Sequence, residues 1–343
     1  MRRALSRKAT FMTTAVLMAG LFAGCSGGND EATPETNEAT STPSESAETP
    51  APPETWPLTG LEAAEGQSTA KNVPVLVTKI DNTTSSAPQM GLGKADMVVE
   101  ELVEGGTTRL AAFFYSELPD VVGPVRSMRA SDIGIVSPVN ATVITSGAAQ
   151  VTKNRINAAG IPFFEEGAKG FFRESSRYAP YNLMARPKEV ATLAKGEEAR
   201  PDDYFTFGDP ADLPAGRKAT TVSANFGRHT TTWTFANGGY VNQGSFAGQG
   251  DEFAATSVLV LRVRIGDAGY ADPAGNVVPE TIFQGTGAAQ LFHDGRVISG
   301  TWEKKELDAP LTLQTRGGEL KMPPGNTFVE LVPQDTGSVV FTK

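Results

Sequence analysis

A single cysteine, Cys25, stands in 343 residues. No disulfide can form within such a chain, so its fold has to rest on a buried core and not on cross-links. The position of the cysteine narrows matters further. The run "ATFMTTAVLMAGLFAG" directly before it is uncharged, and "MRRALSRK" before that carries Arg2, Arg3, Arg7 and Lys8. A positive n-region followed by an apolar h-region is the pattern of a secretory signal. The apolar run is too short, and too quickly followed by polar residues, to span a membrane comfortably. Residues 1–24 are therefore expected to be a signal peptide.

The last residues of the run, "LFAGC", resemble the lipobox of bacterial lipoproteins, with Phe22 where Leu, Val or Ile is usual. That resemblance implies cleavage before Cys25 and acylation of its thiol, palmitate included, and of its new amino group. Two or three acyl chains hold firmly where one would be marginal. The membrane becomes a partner through Cys25, and the folded part is expected at the extracytoplasmic face of the cell membrane.

Removing residues 1–24 takes away four basic groups and no acid, so the formal charge of -9 becomes -13. The segment "SGGNDEATPETNEATSTPSESAETPAPPET" (26–55) supplies seven carboxylates and no Lys or Arg. It has almost no large apolar residue to offset its ordering entropy, so residues 25–55 are expected to be a disordered acidic tether. About 30 such residues reach roughly 100 Å extended and roughly 30 Å as a coil. The sign of the charge argues against nucleic acid as a partner.

The remaining sequence predicts a mixed α/β (α+β) domain over 56–215 and a mostly β domain over 222–343. "VPVLVTKIDN" (73–82) is a strand, and "ADMVVEELV" and "TTRLAAFFYS" form a hairpin about "EGG" (104–106), where glycine supplies the positive φ of a tight turn. "ATVITSG" (141–147) is a strand leading into a helix, "AAQVTKNRINAAG", which Gly160 stops. "PKEVATLAKGEEA" (187–199) predicts a second short helix with proline in its first turn. "GDPADLPAGRKATT" (208–221) is the expected junction. Beyond it "TTWTF", "SVLVLRVRI", "AAQLFHDGRVISGTW" and "TFVELVP" predict strands, with hairpin turns expected at "HDG" and at "PPGN" (323–326).

Several long blocks in fixed order carry a family resemblance. "TKIDNTTSSAPQMGLGKADMVVEELVEGGTTRLAAFFYS", "VGPVRSMRASD", "FFRESSRYAPYNLMA" (171–185) and "GTGAAQLFHDGRVISGTWEKKELDAPLTL" with "MPPGNTFVELVP" resemble the YerB-like lipoproteins, a bacterial family of unknown function. The likeness runs from about Lys71 to Pro333. It implies an anchored extracytoplasmic protein with an N-terminal and a C-terminal domain, and no known reaction. Tyr181 stands where the family block often carries histidine.

The candidate site is built on arginines near turns: Arg109, Arg126, Arg129, Arg173 and Arg177. A guanidinium matches carboxylate or phosphate oxygens bidentately and stays charged at any biological pH. Together with Ser127, Ser146 and Asp81 they are expected to hold an anionic cell-envelope ligand, Ser146 standing where a strand feeds a helix N-terminus. The plainer alternative pairs each arginine with a carboxylate among Asp81, Asp96, Glu100, Glu101, Glu104, Asp132 and Glu174. Serine before a helix is also an ordinary N-cap.

Catalytic patterns are thin. No G-x-S-x-G elbow occurs, and the two histidines, His229 and His293, lie in no triad-like motif. No metal-ligand spacing is present and nothing asks for a cofactor. Glu100, Glu104 and Asp81 are glycosidase candidates by abundance alone. Trp233, Tyr240 and Trp302 are expected in the core more than on a sugar platform. The leading expectation is thus a binding or accessory lipoprotein whose second domain offers a surface for a protein partner. The alternative is an enzyme acting on a phosphate-linked envelope precursor, by a likeness of a few residues to enzymes that transfer glycopolymers from polyprenyl phosphates.

Overall fold

The structure is a computed structural model that describes residues 53–69, 73–195, 200–272 and 275–343. Cys25, the signal peptide and the tether up to residue 52 lie outside them. The last residues expected in the tether belong to the fold. The Glu54 carboxylate accepts from the Ser68 hydroxyl and from the backbone of Gly66, Ser68 and Thr69, which holds it below the usual carboxylate range. A composition rule cannot see a single carboxylate with four donors waiting for it.

β-Branched and aliphatic runs form the strands β1 (Leu76–Asn82), β2 (Met97–Leu102), β3 (Thr108–Phe114) and β4 (Thr142–Ile144). β2 and β3 form the expected hairpin about Glu104–Gly106. β3 then pairs antiparallel with β1, and β1 parallel with β4. Three short helices accompany them: α1 (Asp132–Val136), α2 (Gln150–Ala158) and α3 (Pro187–Ala191). The last covers only the start of the helix expected over 187–199.

The second half is mostly strand. Ser257–Ala271 pairs with Gly285–His293, and that strand turns at the expected "HDG" into Arg296–Lys304. A separate four-stranded sheet runs Gly239–Asn242, Thr230–Ala236, Thr221–Asn225, Ser338–Thr342. The fold is therefore mixed α+β in its first half and β in its second.

One strand ties the two halves together. Thr327–Pro333 lies between Ser257–Ala271 and β2, parallel to both, with Val329 opposite Leu259 on one side and Val99 on the other. The main sheet thus runs without a break from one half into the other. This changes the reading of "PPGN". The strand before it, Gly318–Glu319, pairs with Thr312–Thr315, and the strand after it pairs elsewhere, so the segment is a crossover and not a hairpin turn.

The strand period of two splits the core into two layers. Val77, Met97, Val99 and Phe113 face one way with Leu259, Leu261, Val329 and Leu331, covered by Ile135 and Val136 of α1 and Ile156 of α2. Leu76, Val98, Leu110 and Phe114 face the other way with Val258, Val260 and Phe328, covered by Val222, Ala224, Trp233 and Tyr240 of the smaller sheet. Strands covered on both faces read as near-continuous apolar runs, which is how these appear in the sequence. Trp233, Tyr240 and Trp302 are core residues. No helix among the described residues is long and apolar enough to cross a membrane.

Candidate functional site

At one end of β1, β2 and β3 the face under α1 changes from apolar to charged. Val77 is followed on that face by Lys79 and Asp81, and Val99 by Glu101, while β3 brings in Arg109 two residues before Ala111. The register sets Asp81 opposite Arg109, and Arg109 opposite Glu101.

The deepest of these charges form a fastening. Lys79 is fully buried and donates to Glu101 at 2.8 Å and to Asp132, the first residue of α1, at 2.6 Å. The Ser131 hydroxyl donates to the second Glu101 oxygen, and the Arg129 N–H to the second Asp132 oxygen at 2.7 Å. Burial pushes the Lys79 ammonium down, but the two carboxylates outweigh it and leave it raised. Burial pushes the Asp132 carboxyl up, and Lys79 offsets this only in part because Glu101 adds its own negative charge.

Beyond the fastening opens a cleft of about 430 Å³, lined by Glu104, Arg109, Arg126, Ser127, Arg129 and Tyr270 among others. The Gly-Pro loop reaches it because it is zipped to its neighbours: Val122 bonds Ala185, the Val125 N–H donates to the Leu183 carbonyl at 2.7 Å, and the Arg126 N–H donates to the Lys79 carbonyl at 2.8 Å. Gly123, at φ +145°, makes the bend; a Cβ there would stand 2.9 Å from the Val125 nitrogen.

Two of the three arginines have carboxylate partners. Arg129 clamps both oxygens of Glu104, with Nε at 3.0 Å, and Arg126 Nε lies 2.9 Å from Asp81 Oδ2. The other Asp81 oxygen accepts from the Thr83 backbone at 3.0 Å and hydroxyl at 2.5 Å. Arg109 differs. It is 5% exposed, donates one bond to the Ser127 carbonyl at 2.8 Å, and comes no closer than 4.0 Å to Glu104, which Arg129 already holds. Its Nε, like that of Arg126, is buried with no hydrogen-bond partner among the described residues. Burial, then the Arg129 and Arg126 charges, push its guanidinium down to about 10 despite Glu104. With the fastening beside them, Lys79 and the three arginines meet the carboxylates of Asp81, Glu101, Glu104 and Asp132, and Asp272 also lines the cleft.

Ser127 and Ser146 meet here, their hydroxyls 3.2 Å apart. Ser146 does not cap the helix. Gly147, at φ +117°, turns the chain, and α2 begins only after Ala149. Nor are the N–H groups of Thr145, Ser146 and Gly147 free for an anion: they donate to the Phe164 carbonyl, the Arg126 carbonyl and the Thr145 hydroxyl.

Arg173 and Arg177 do not line the cleft. Arg173 clamps Glu166 at 2.7 and 2.8 Å and donates to Asn182 at 2.6 Å. Arg177 donates to the Ser86 carbonyl at 3.1 Å and the Pro88 carbonyl at 2.5 Å. Both hold the 174–182 loop in place.

On the opposite face of the same strands lies a second polar group that the sequence did not announce. Glu100 and Glu330, both fully buried, stand opposite each other in register. Glu100 accepts from Asn82 at 3.0 Å and Thr231 at 2.8 Å and lies 3.2 Å from His229 Nε2, while Glu330 accepts from the Trp233 indole at 2.7 Å. Their only sequence signal is a carboxylate inside an apolar strand run.

Over residues 58–200 the sequence matches the family model described as "Protein of unknown function (DUF3048) N-terminal domain", and over 217–329 its C-terminal counterpart. The chain belongs to the DUF3048 family. This DUF3048 chain is 24% identical over 297 residues to "Putative lipoprotein YerB" of Bacillus subtilis (strain 168), covering 82% of this chain and 88% of the relative. Its fold matches the crystal structure of the YerB protein from Bacillus subtilis with a TM-score of 0.70, at 21% identity, over 84% of this chain and 99% of that one. The resemblance read from the sequence blocks therefore holds, and the family's description assigns no reaction.

Proposed function

We propose that this chain is a lipoprotein attached to the cell membrane through Cys25, extracytoplasmic, that binds an anionic cell-envelope ligand in the Arg109–Arg126–Arg129 cleft. The relative's name as a lipoprotein and the Cys25 context support the attachment. The observation that carries the ligand reading is Arg109: a buried guanidinium in an open cleft, with an unused N–H and no carboxylate of its own. An unsatisfied charged donor is costly to keep unless something completes it. A phosphate or carboxylate seated between Arg109, Arg126 and the Ser127–Ser146 hydroxyls would supply acceptors that the protein itself leaves short. Binding is better supported than catalysis, since Glu104 and Asp81 are each engaged by an arginine and neither is poised as a base.

Thermal unfolding in inorganic phosphate against chloride at equal ionic strength tests this. Phosphate is expected to raise the wild-type melting temperature. Arg126→Gln should lose most of that response, by about 1.5–3 kcal/mol of binding, while melting near the wild type without phosphate, because Thr83 still holds Asp81. No phosphate response in the wild type would overturn the reading.

A further inference from the structure

Arg126 faces two ways. On one side it lines the cleft; on the other its guanidinium lies 5.3 Å over the ring of Tyr181. Tyr181 in turn meets Tyr178 edge to face, ring centroids 5.5 Å apart, and Tyr178 is 64% exposed. A large aromatic ring left this open gains nothing for the core, and its neighbour already stacks with the cation. The loop that carries both rings is not loose. Arg173 fixes it to Glu166 and to Asn182, and Arg177 to the carbonyls of Ser86 and Pro88. Cleft, Arg126, Tyr181 and Tyr178 thus follow one another as a row, cationic at one end and aromatic at the other.

Building on the anion-binding reading above, we propose that the ligand is a sugar phosphate: its phosphate sits in the arginine cleft and its sugar ring lies against Tyr178 and Tyr181. The axial C–H groups of a pyranose present an apolar face that packs on aromatic rings, while its hydroxyls remain in water. A bare anion would use only the arginines, and a neutral sugar only the tyrosines. A sugar phosphate uses both, with Arg126 touching the junction.

Titration calorimetry with inorganic phosphate, glucose and glucose 1-phosphate is the test, run on wild type, Tyr178→Ala and Tyr181→Leu. In the wild type glucose 1-phosphate should bind roughly three- to tenfold more tightly than phosphate. Both variants should bring the two ligands to equal affinity, and Tyr178→Ala, whose ring is not the one stacked on Arg126, should leave phosphate binding unchanged. Tyr178 is exposed, so its variant should melt as the wild type does and can be read even if Tyr181→Leu fails to fold. Equal wild-type affinity for phosphate and glucose 1-phosphate would overturn the sugar subsite and leave the anion site standing. No binding of either would remove the anion site, and this proposal with it. Vesicles of phosphatidylinositol against phosphatidylglycerol distinguish the source: a preference for the first assigns a ring phosphate carried on lipid, and binding of the soluble compound without that preference assigns a free one.

Discussion

Glu100 and Glu330 cannot both be charged where they stand. Burial and the Glu100 charge push the Glu330 carboxyl well up, so it keeps its proton. An ionised Glu330 would leave Oε2 buried without a donor; protonated, that oxygen becomes the donor toward Glu100. Burial pushes Glu100 up, but His229 outweighs it and holds it below its ordinary value, while Glu100 raises His229 against the effect of burial. The signs then follow from linkage. Glu330 holds in the fold a proton that the unfolded chain releases above about pH 4.5, so stability falls as pH rises from there. The His229 contribution is fully present below about pH 6.5 and is lost as pH rises through its raised value. Glu100 works the other way and is lost only as pH falls through its depressed value. Melting temperature should therefore be higher at about pH 5.5 than at about pH 8.5. Glu330→Gln keeps the neutral shape and should flatten this slope without destabilising at neutral pH, and His229→Gln should flatten its alkaline part. Unchanged slopes in both variants would mean that the pair does not titrate as described. None of this was legible in the sequence, because partners so far apart in the chain share only a register that the strand Thr327–Pro333 creates.

Among the elements, turns were the legible part. Glycine-bearing "EGG" and "HDG" sit between alternating runs, and a positive φ at one or two residues decides the connection. "PPGN" has the same composition, but whether a turn closes a hairpin or starts a crossover depends on which neighbours have an open edge, and that is a property of the whole sheet. Helix starts were less legible: Gly147 breaks the strand-to-helix passage, so the serine that looked like a cap belongs to a loop. Close approach within the sheet is equally silent in the sequence. Gly287 lies under Trp302, whose indole donates to the Arg262 carbonyl at 3.0 Å, and a Cβ there would stand 2.3 Å from that oxygen and 2.4 Å from the indole nitrogen. Gly287→Ala should cost about 1–3 kcal/mol as overpacking, measurable by denaturant unfolding. A neutral result would show that the Ser257–Ala271 and Gly285–His293 pair can slide to make room.

For the whole molecule, the change of composition at 208–221 and the interval between the two family matches suggest parts that would stand alone, yet the main sheet crosses that interval. β2 owes one of its two neighbours to Thr327–Pro333, and Val99 packs in the same layer as Leu259 and Val329. A fragment of residues 53–215 would expose β2 as a long apolar edge, the kind that aggregates. It is expected to be insoluble or unfolded by circular dichroism, and to recover on co-expression with residues 216–343. A soluble, cooperatively melting fragment would contradict this. The half-and-half reading was available from sequence because composition is local; the shared sheet was not, because strand order is not. The same insertion bears on how the protein is made. A ribosome delivers the chain from its first residue onward, so both rims of the central gap must wait, unpaired, until residue 333 has been added. Until then each nascent or truncated copy displays an open slot of unpaired strand edge, the kind of surface that proteases and holdases recognise.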